Sequence, residues 1–107
     1  MSEKVYFIAA SANDSLDVIH NKLLKLFQSA KLNDCVEPND LVAIKIHFGE
    51  EKNTTHIPAS YFTSVIKEIK RKGGKPFFTD TCVLYRSKRS DAVNHLTLAE
   101  NHGFNLE

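Results

Sequence analysis

Thiols are scarce in this sequence: Cys35 and Cys82 are the only two among 107 residues, and no Cys-x-x-Cys spacing joins them. That count excludes a disulfide-stapled secreted scaffold, and two reduced thiols are expected. A cysteine-held iron–sulfur cluster takes about four thiolates, so this chain cannot ligate one alone. An excess of one charge is missing too. Fourteen basic and 13 acidic residues leave a formal charge of +1, with no basic stripe or acidic block, which argues against nucleic acid as a partner. No apolar run reaches the roughly 18 residues of a membrane span, so no membrane association is expected. The N-terminus, "MSEKVYFIAAS", sets acid and base ahead of a short apolar run. It does not read as a signal peptide, and a cytoplasmic location follows.

What is present is ordinary globular material, 42% hydrophobic and 25% charged, enough for one core in a single α/β domain over 1–107. Periodicity alternates along it in three strand-helix units. "KVYFIAA" (4–10) is short, apolar and rich in β-branched and aromatic residues, the signature of a strand. After the polar turn "SANDS", with Asp14 or Ser15 as cap, apolar residues at Leu16, Ile19, Leu23, Leu24, Phe27 and Ala30 keep helical spacing. A second strand (41–48) precedes a helix opening at Pro58, with Phe62, Val65, Ile66 and Ile69 as its apolar stripe and Gly73 as its left-handed cap. A third strand, "KPFFTD" (75–80), leads through a long loop to a helix capped by Ser90 and stopped by Gly103. Strands separated by helices pair in parallel through right-handed crossovers, so the expected fold is a three-layer Rossmann-like sheet. "GFNLE" starts like a fourth strand and ends there, the mark of an incomplete domain, a fragment of a larger one.

Within the second strand, "LVAIKIHFGE", alternation puts Val42, Ile44, Ile46 and Phe48 on one face and Ala43, Lys45 and His47 on the other. In a parallel sheet all strand C-terminal ends share one edge, and ligands bind in the crevice outside it. Lys45 and His47 would line that crevice, together with Glu50, Asn53, Thr54, Thr55, Asp80, Thr81, Arg86 and Arg89 from the loops. Each has a plainer reading. Lys45 can snorkel past the sheet edge, His47 can be a bonded core histidine, and Asp80 can cap the next turn. Arg86, Lys88 and Arg89 can be a solvated loop or an anion site. His20, His56 and His102 read as surface residues, Cys35 as structural, and Cys82 as a thiol whose reactivity is worth a check.

No P-loop ending, no GxGxxG after the first strand, and no zinc-finger or HExxH spacing is present. The Lys, His and Asp of the crevice leave two chemistries open. A divalent metal with an open position would recruit His47 and Asp80. Proton transfer would favour Lys45, its pKa lowered by burial, with Asp80 beside it.

The stretches "DLVAIKIHFGEEKNTTHI", "GGKPFFTDTCVLY" and "RSDAVNHLTLAENHGF" resemble, in order, successive motifs of a bacterial and archaeal family called domain of unknown function 362. The resemblance runs from about Lys4 to the end and covers what would be the N-terminal third of a longer member. It implies an iron–sulfur, ferredoxin-type association, with 4Fe-4S motifs beyond the region seen here, and hence a redox partner. The family's Lys-x-His-x-Gly-Glu pattern falls on Lys45, His47, Gly49 and Glu50, and its Asn-Thr on Asn53 and Thr54. Its Thr-Asp-Thr strand end falls on Thr79, Asp80 and Thr81, with Tyr85, Arg89 and His95 after it. Cys82 stands where an asparagine is usual, and "YRSKR" lacks a glycine common in that loop. Two functions are therefore expected in competition. One is a redox protein with Lys45 and Asp80 as catalytic groups and Gly49, Glu50, Asn53, Thr54, Thr81 and Arg89 holding a substrate or cofactor. The other is a binding module for a small anion or phosphometabolite without catalysis. Substrate, electron partner and oligomeric state stay open.

Overall fold

The computed structural model describes residues 2–105. Helix α1 (Leu16–Ser29) is followed by a 3-10 turn (Leu32–Cys35), strand β1 (Leu41–Lys45) and a second 3-10 turn (Ala59–Phe62). Helix α2 (Thr63–Arg71), strand β2 (Lys75–Thr79) and helix α3 (Ala92–Asn101) complete the order. The two strands pair side by side. Asp40 C=O accepts from Lys75 N–H at 2.7 Å and Thr79 C=O from Ile46 N–H at 3.1 Å, so both strands advance together, as parallel strands do. Parallel strands joined through a helix make this an α/β, Rossmann-like arrangement, two strands wide among the described residues. No helix among the described residues is long and apolar enough to cross a membrane.

The chain divides into two compact units, Met1–Val42 with Tyr61–Pro76, and Ala43–Ser60 with Phe77–Glu107. In the first, α1 packs on α2. Ser15, rather than Asp14, caps α1 by accepting from Val18 N–H. Asp14 instead pairs with Lys22 at 2.6 Å. The α2 stripe buries Val65 and Ile69 as its spacing requires, and Ile69 is 1% exposed. Arg71 grips Glu68 with two parallel hydrogen bonds of 2.8 Å on the same helix. Gly73, at φ +86°, closes α2 as a Schellman motif: its N–H reaches Lys70 C=O, and Gly74 N–H reaches Ile69 C=O. A Cβ on Gly74 would meet Val36, Ile69 and Val42 side chains at 2.8, 2.9 and 3.2 Å. The turn therefore ends directly against the apolar core.

The strand expected over 4–10 does not form. Residues 2–10 adopt no regular structure, and Val5 and Phe7 are 90% and 86% exposed. The apolar, β-branched composition supplies strand propensity, but a strand exists only as a paired state, and among the described residues β1 and β2 pair only with each other. The expected strands 41–48 and 75–80 are shorter, ending at Lys45 and Thr79. The helix expected to open at Pro58 starts as a 3-10 turn and becomes α-helical at Thr63. At the C-terminus Phe104 and Asn105 lie outside any regular element, and the remainder of the expected fourth strand falls outside the described residues.

The second unit has an aromatic centre. Phe48, Leu98 and Phe104 are buried, with the His95 ring edge-on to Phe48 at 4.8 Å and Phe78 edge-on to Phe104 at 5.1 Å. Asp91, one residue beyond the expected cap, caps α3 by accepting from Asn94 N–H at 3.0 Å. Ser90 turns away and donates to Ser87 C=O. α3 ends in the same pair of bonds as α2, from Gly103 and Phe104 N–H to Glu100 and Ala99 C=O.

Candidate functional site at the strand ends

Alternation along β1 continues past its last paired residue. Ile46 and Phe48 turn into the core, while Lys45 and His47 lie on the exposed face. β2 ends one residue before Asp80, whose side chain is 3% exposed. The two loops that follow these strands meet at one guanidinium.

Arg89 is 3% exposed and lies with its Cζ 4.8 Å from the centre of the Phe48 ring. Its Nη2 donates to Asp80 Oδ2 at 2.7 Å and to Thr81 C=O at 3.2 Å. Its Nη1 donates to Glu50 Oε1 at 3.1 Å and stands 3.1 Å from His47 Nε2. Asp80 Oδ1 accepts from Thr81 N–H at 2.8 Å and pairs with Lys45 at 3.2 Å. Glu50 is held by the hydroxyls of Ser87 and Tyr85 as well. Lys45, His47, Glu50, Asp80, Thr81 and Arg89 are thus one network.

The electrostatics follow from these contacts. Burial by itself pushes the Asp80 carboxyl up, but the Thr81 N–H, the Lys45 ammonium and the charge of Arg89 together hold it below the usual aspartate value. Glu50 is lowered by hydrogen bonds from Ser87 and Tyr85, then by Arg89. The Tyr85 hydroxyl, donating to that carboxylate, is raised in turn. His47 Nδ1 faces Gly49 N–H at 3.0 Å while Nε2 faces Arg89. Both neighbours are donors, so a neutral ring accepts from one of them at a time.

The arrangement changes what several residues can do. Arg89 faces inward: Nη1 and Nη2 are bonded to internal acceptors, while its Nε–H is buried without a partner among the described residues. Lys45, by contrast, is 67% exposed at its side chain, so the burial on which a proton-abstracting lysine depended is absent. A divalent metal at His47 and Asp80 does not fit: both Asp80 oxygens are taken, and the Arg89 guanidinium contacts both residues. Among the described residues no group of three or more His, Cys, Asp or Glu side chains could hold a metal ion. Neither does a 4Fe-4S cluster fit, since Cys35 and Cys82, both free and exposed, are the chain's only thiols. Cys35 is accordingly not a core residue.

Beside His47 the loop 49–57 folds on itself. Gly49, at φ +93°, brings its Cα so close to His56 that a Cβ would stand 2.8 Å from His56 Nδ1. Asn53 Oδ1 accepts from His56 N–H at 2.9 Å, and its amide donates to Thr55 Oγ1 at 3.2 Å, so Asn53 shapes the loop first. Thr54 is exposed. A largely open hollow of about 300 Å³ is lined by Ile46, His47, Asn53, Thr55, His56 and Ile57. His56 and His102, expected at the surface, are half-buried and stacked at 4.6 Å, with His102 Nδ1 2.6 Å from Phe48 C=O. Ser87 carried no signal in the sequence beyond its place in a polar loop, and it is one of the groups that fixes Glu50.

The strand ends of this α/β unit thus carry an exposed lysine and histidine backed by a buried ionic network. Residues 42–106 match the model of a family described as domain of unknown function (DUF362), and the chain belongs to that family. No curated protein and no solved structure matches it.

Proposed function

We propose that the strand-end cluster binds a small anion-bearing metabolite, with Lys45 as the contacting cation and the pocket beside His47 as the seat for the rest of the molecule. The observation that carries this reading is the division of the two cations of the network. Arg89 is buried and closed off from solvent, while Lys45 is held in place by a buried carboxylate and still presents its ammonium to solvent. Asp80 is then a positioning residue: it fixes Lys45 and does not itself meet the ligand. His47, exposed on the same face and about 7 Å further along an extended chain, has both ring nitrogens turned to Gly49 N–H and Arg89, so it offers a ligand its ring as a wall and not a proton. Thr55 adds a hydroxyl to the pocket wall.

In its fuller form the proposal makes this chain the substrate-binding part of an iron–sulfur, ferredoxin-type redox protein. The family resemblance supports that association. The cluster and the redox partner would lie outside this chain, and no step is routed through them.

An amide proton–nitrogen NMR titration with inorganic phosphate tests the binding reading. Saturable shifts at His47 and Thr55, lost in Lys45→Met and weakened by salt, are expected. Shifts that ignore Lys45→Met would overturn it, as would a response confined to zinc or ferrous iron, which would return the site to a metal.

A further inference from the structure

The loop between β2 and α3 carries a feature that the ligand site does not use. Leu84 is fully exposed, yet its neighbours on both sides are pinned. Val83 N–H donates to Arg89 C=O at 3.0 Å, and the Tyr85 hydroxyl donates to Glu50. Farther along, Ser87 Oγ donates to Glu50 at 2.6 Å and accepts from Arg89 N–H at 3.0 Å, while Ser90 Oγ donates to Ser87 C=O at 2.6 Å. Arg89, the deepest residue of the loop, locks its base. A single exposed leucine is ordinary. Here, though, the backbone is ordered in advance around a leucine that no part of the unit packs against, and a half-exposed tyrosine ring stands next to it. Ordering before binding is what a recognition loop needs, because it removes the entropy that association would otherwise cost.

We infer that residues 82–88 are a docking loop for an acidic protein partner, with Leu84 and the Tyr85 ring entering an apolar notch and Arg86 and Lys88 meeting carboxylates around it. Charge complementarity selects the partner. From Cys82 to Lys88 the sequence holds two cations, both exposed, and no acid. Two cations are too few for a lipid surface, where sequence-readable binding takes clusters of about 4–8. They are also too few for nucleic acid, whose binding rests on many phosphate contacts. Two cations following an apolar anchor on one side do suit a protein interface, in which a buried hydrophobic or aromatic centre supplies affinity and rim charges steer encounter. The residues tested, Leu84, Arg86 and Lys88, lie outside the cluster around Arg89, whereas Tyr85 and Ser87 are shared with it through Glu50, so the test leaves those two unchanged.

The test is a selection of random 12-residue peptides displayed on phage against the full chain, followed by affinity measurement on the enriched peptides. Enrichment of sequences that combine Asp or Glu with an aromatic or leucine is expected. Leu84→Ser and the pair Arg86→Glu/Lys88→Glu should each weaken the best peptide by about tenfold or more. Only the charge reversal should remove the salt dependence. All three residues are exposed, so the variants keep the fold, which unchanged NMR dispersion verifies. Enrichment without acidic bias, or binding indifferent to these substitutions, would overturn the proposal. Equally, tighter binding of phosphatidylserine vesicles or a single-stranded oligonucleotide, with the same dependence on Leu84, Arg86 and Lys88, would overturn it in favour of that partner.

Discussion

In the unit built from α1 and α2 the deepest side chain is Ile69, 1% exposed, packed where Gly74 leaves room among Val36 and Val42. In the strand-end unit the corresponding depth is shared by the Phe48 ring and Arg89, each 3% exposed, and Arg89 is surrounded by Asp80, Glu50, His47 and that ring. One unit is organised by exclusion of water from hydrocarbon. The other spends a cation and two carboxylates on its own architecture and leaves a second cation, Lys45, facing out. A site whose scaffold is polar can hold its exposed groups in fixed geometry, because directional bonds fix orientation where apolar contacts do not.

The largest effect is expected where that scaffold is broken from one side. Arg89→Met leaves Asp80 buried without its guanidinium partner and should cost about 3–5 kcal/mol, a large share of the stability of a domain this small. Ile69→Ala should cost a comparable amount, about 2–5 kcal/mol, through the cavity it leaves. Urea denaturation measures both, and the rescue distinguishes them. Adding Asp80→Asn and Glu50→Gln to Arg89→Met should restore part of the loss, because the remaining carboxylate charges disappear with their partner. No charge removal should rescue Ile69→Ala. Equal behaviour of the two would erase the contrast between the units.

Next in size is the loop beside His47. Gly49→Ala forces a side chain into a left-handed backbone and against the His56 ring, with an expected loss of about 1–3 kcal/mol. Thermal unfolding gives the number, and the loss of amide shifts at Asn53 and His56 would locate it.

Much of this was legible before any coordinates. Helical spacing placed α1 and the buried stripe of α2, since a periodicity of apolar residues is itself the cause of one-sided burial. Alternation also separated Lys45 and His47 from Ile46 and Phe48 correctly. The pairing of 4–10 was not legible, because propensity is local and a strand's partner is not. The cap of α3 slipped by one residue because Ser90 and Asp91 are both good caps. Arg89 read as a ligand group for a related reason: an arginine in a polar loop looks solvated until Asp80, Glu50 and Thr81 are brought around it from other stretches of the chain. The sequence contained all of these residues but no statement of their meeting.

A smaller effect comes from acid. Asp80 and Glu50 have folded-state pKa values lowered beneath their ordinary 3.8 and 4.5. The unfolded chain therefore takes up protons first, so the stability they contribute is complete above those ordinary values and is lost as pH falls through the folded ones. Unfolding midpoints followed downward from neutral pH should decline in that range. Glu50→Gln should flatten the decline without abolishing it. Asp14 and Glu68, lowered by hydrogen bonds from Lys22 and Arg71, supply a background that the substitution does not touch. A slope unchanged by Glu50→Gln would mean that its bonds to Ser87 and Tyr85 do not persist in solution.

The smallest change in stability is expected from Lys45→Met, and the comparison between the units gives that small number its meaning. Lys45 and Arg89 both pair with Asp80, one to each oxygen. At 67% side-chain exposure the Lys45 ammonium is screened by water, so its pair with Asp80 should contribute about 0–1 kcal/mol. Losing it leaves Asp80 still bound to Arg89 and the Thr81 N–H. The midpoint of urea denaturation should barely move while phosphate binding disappears. A shift as large as that of Arg89→Met would show that Lys45 belongs to the scaffold, and the network around Asp80 would then have no cation left to offer a ligand. A small shift with lost binding separates the two cations by role, although they share a single carboxylate.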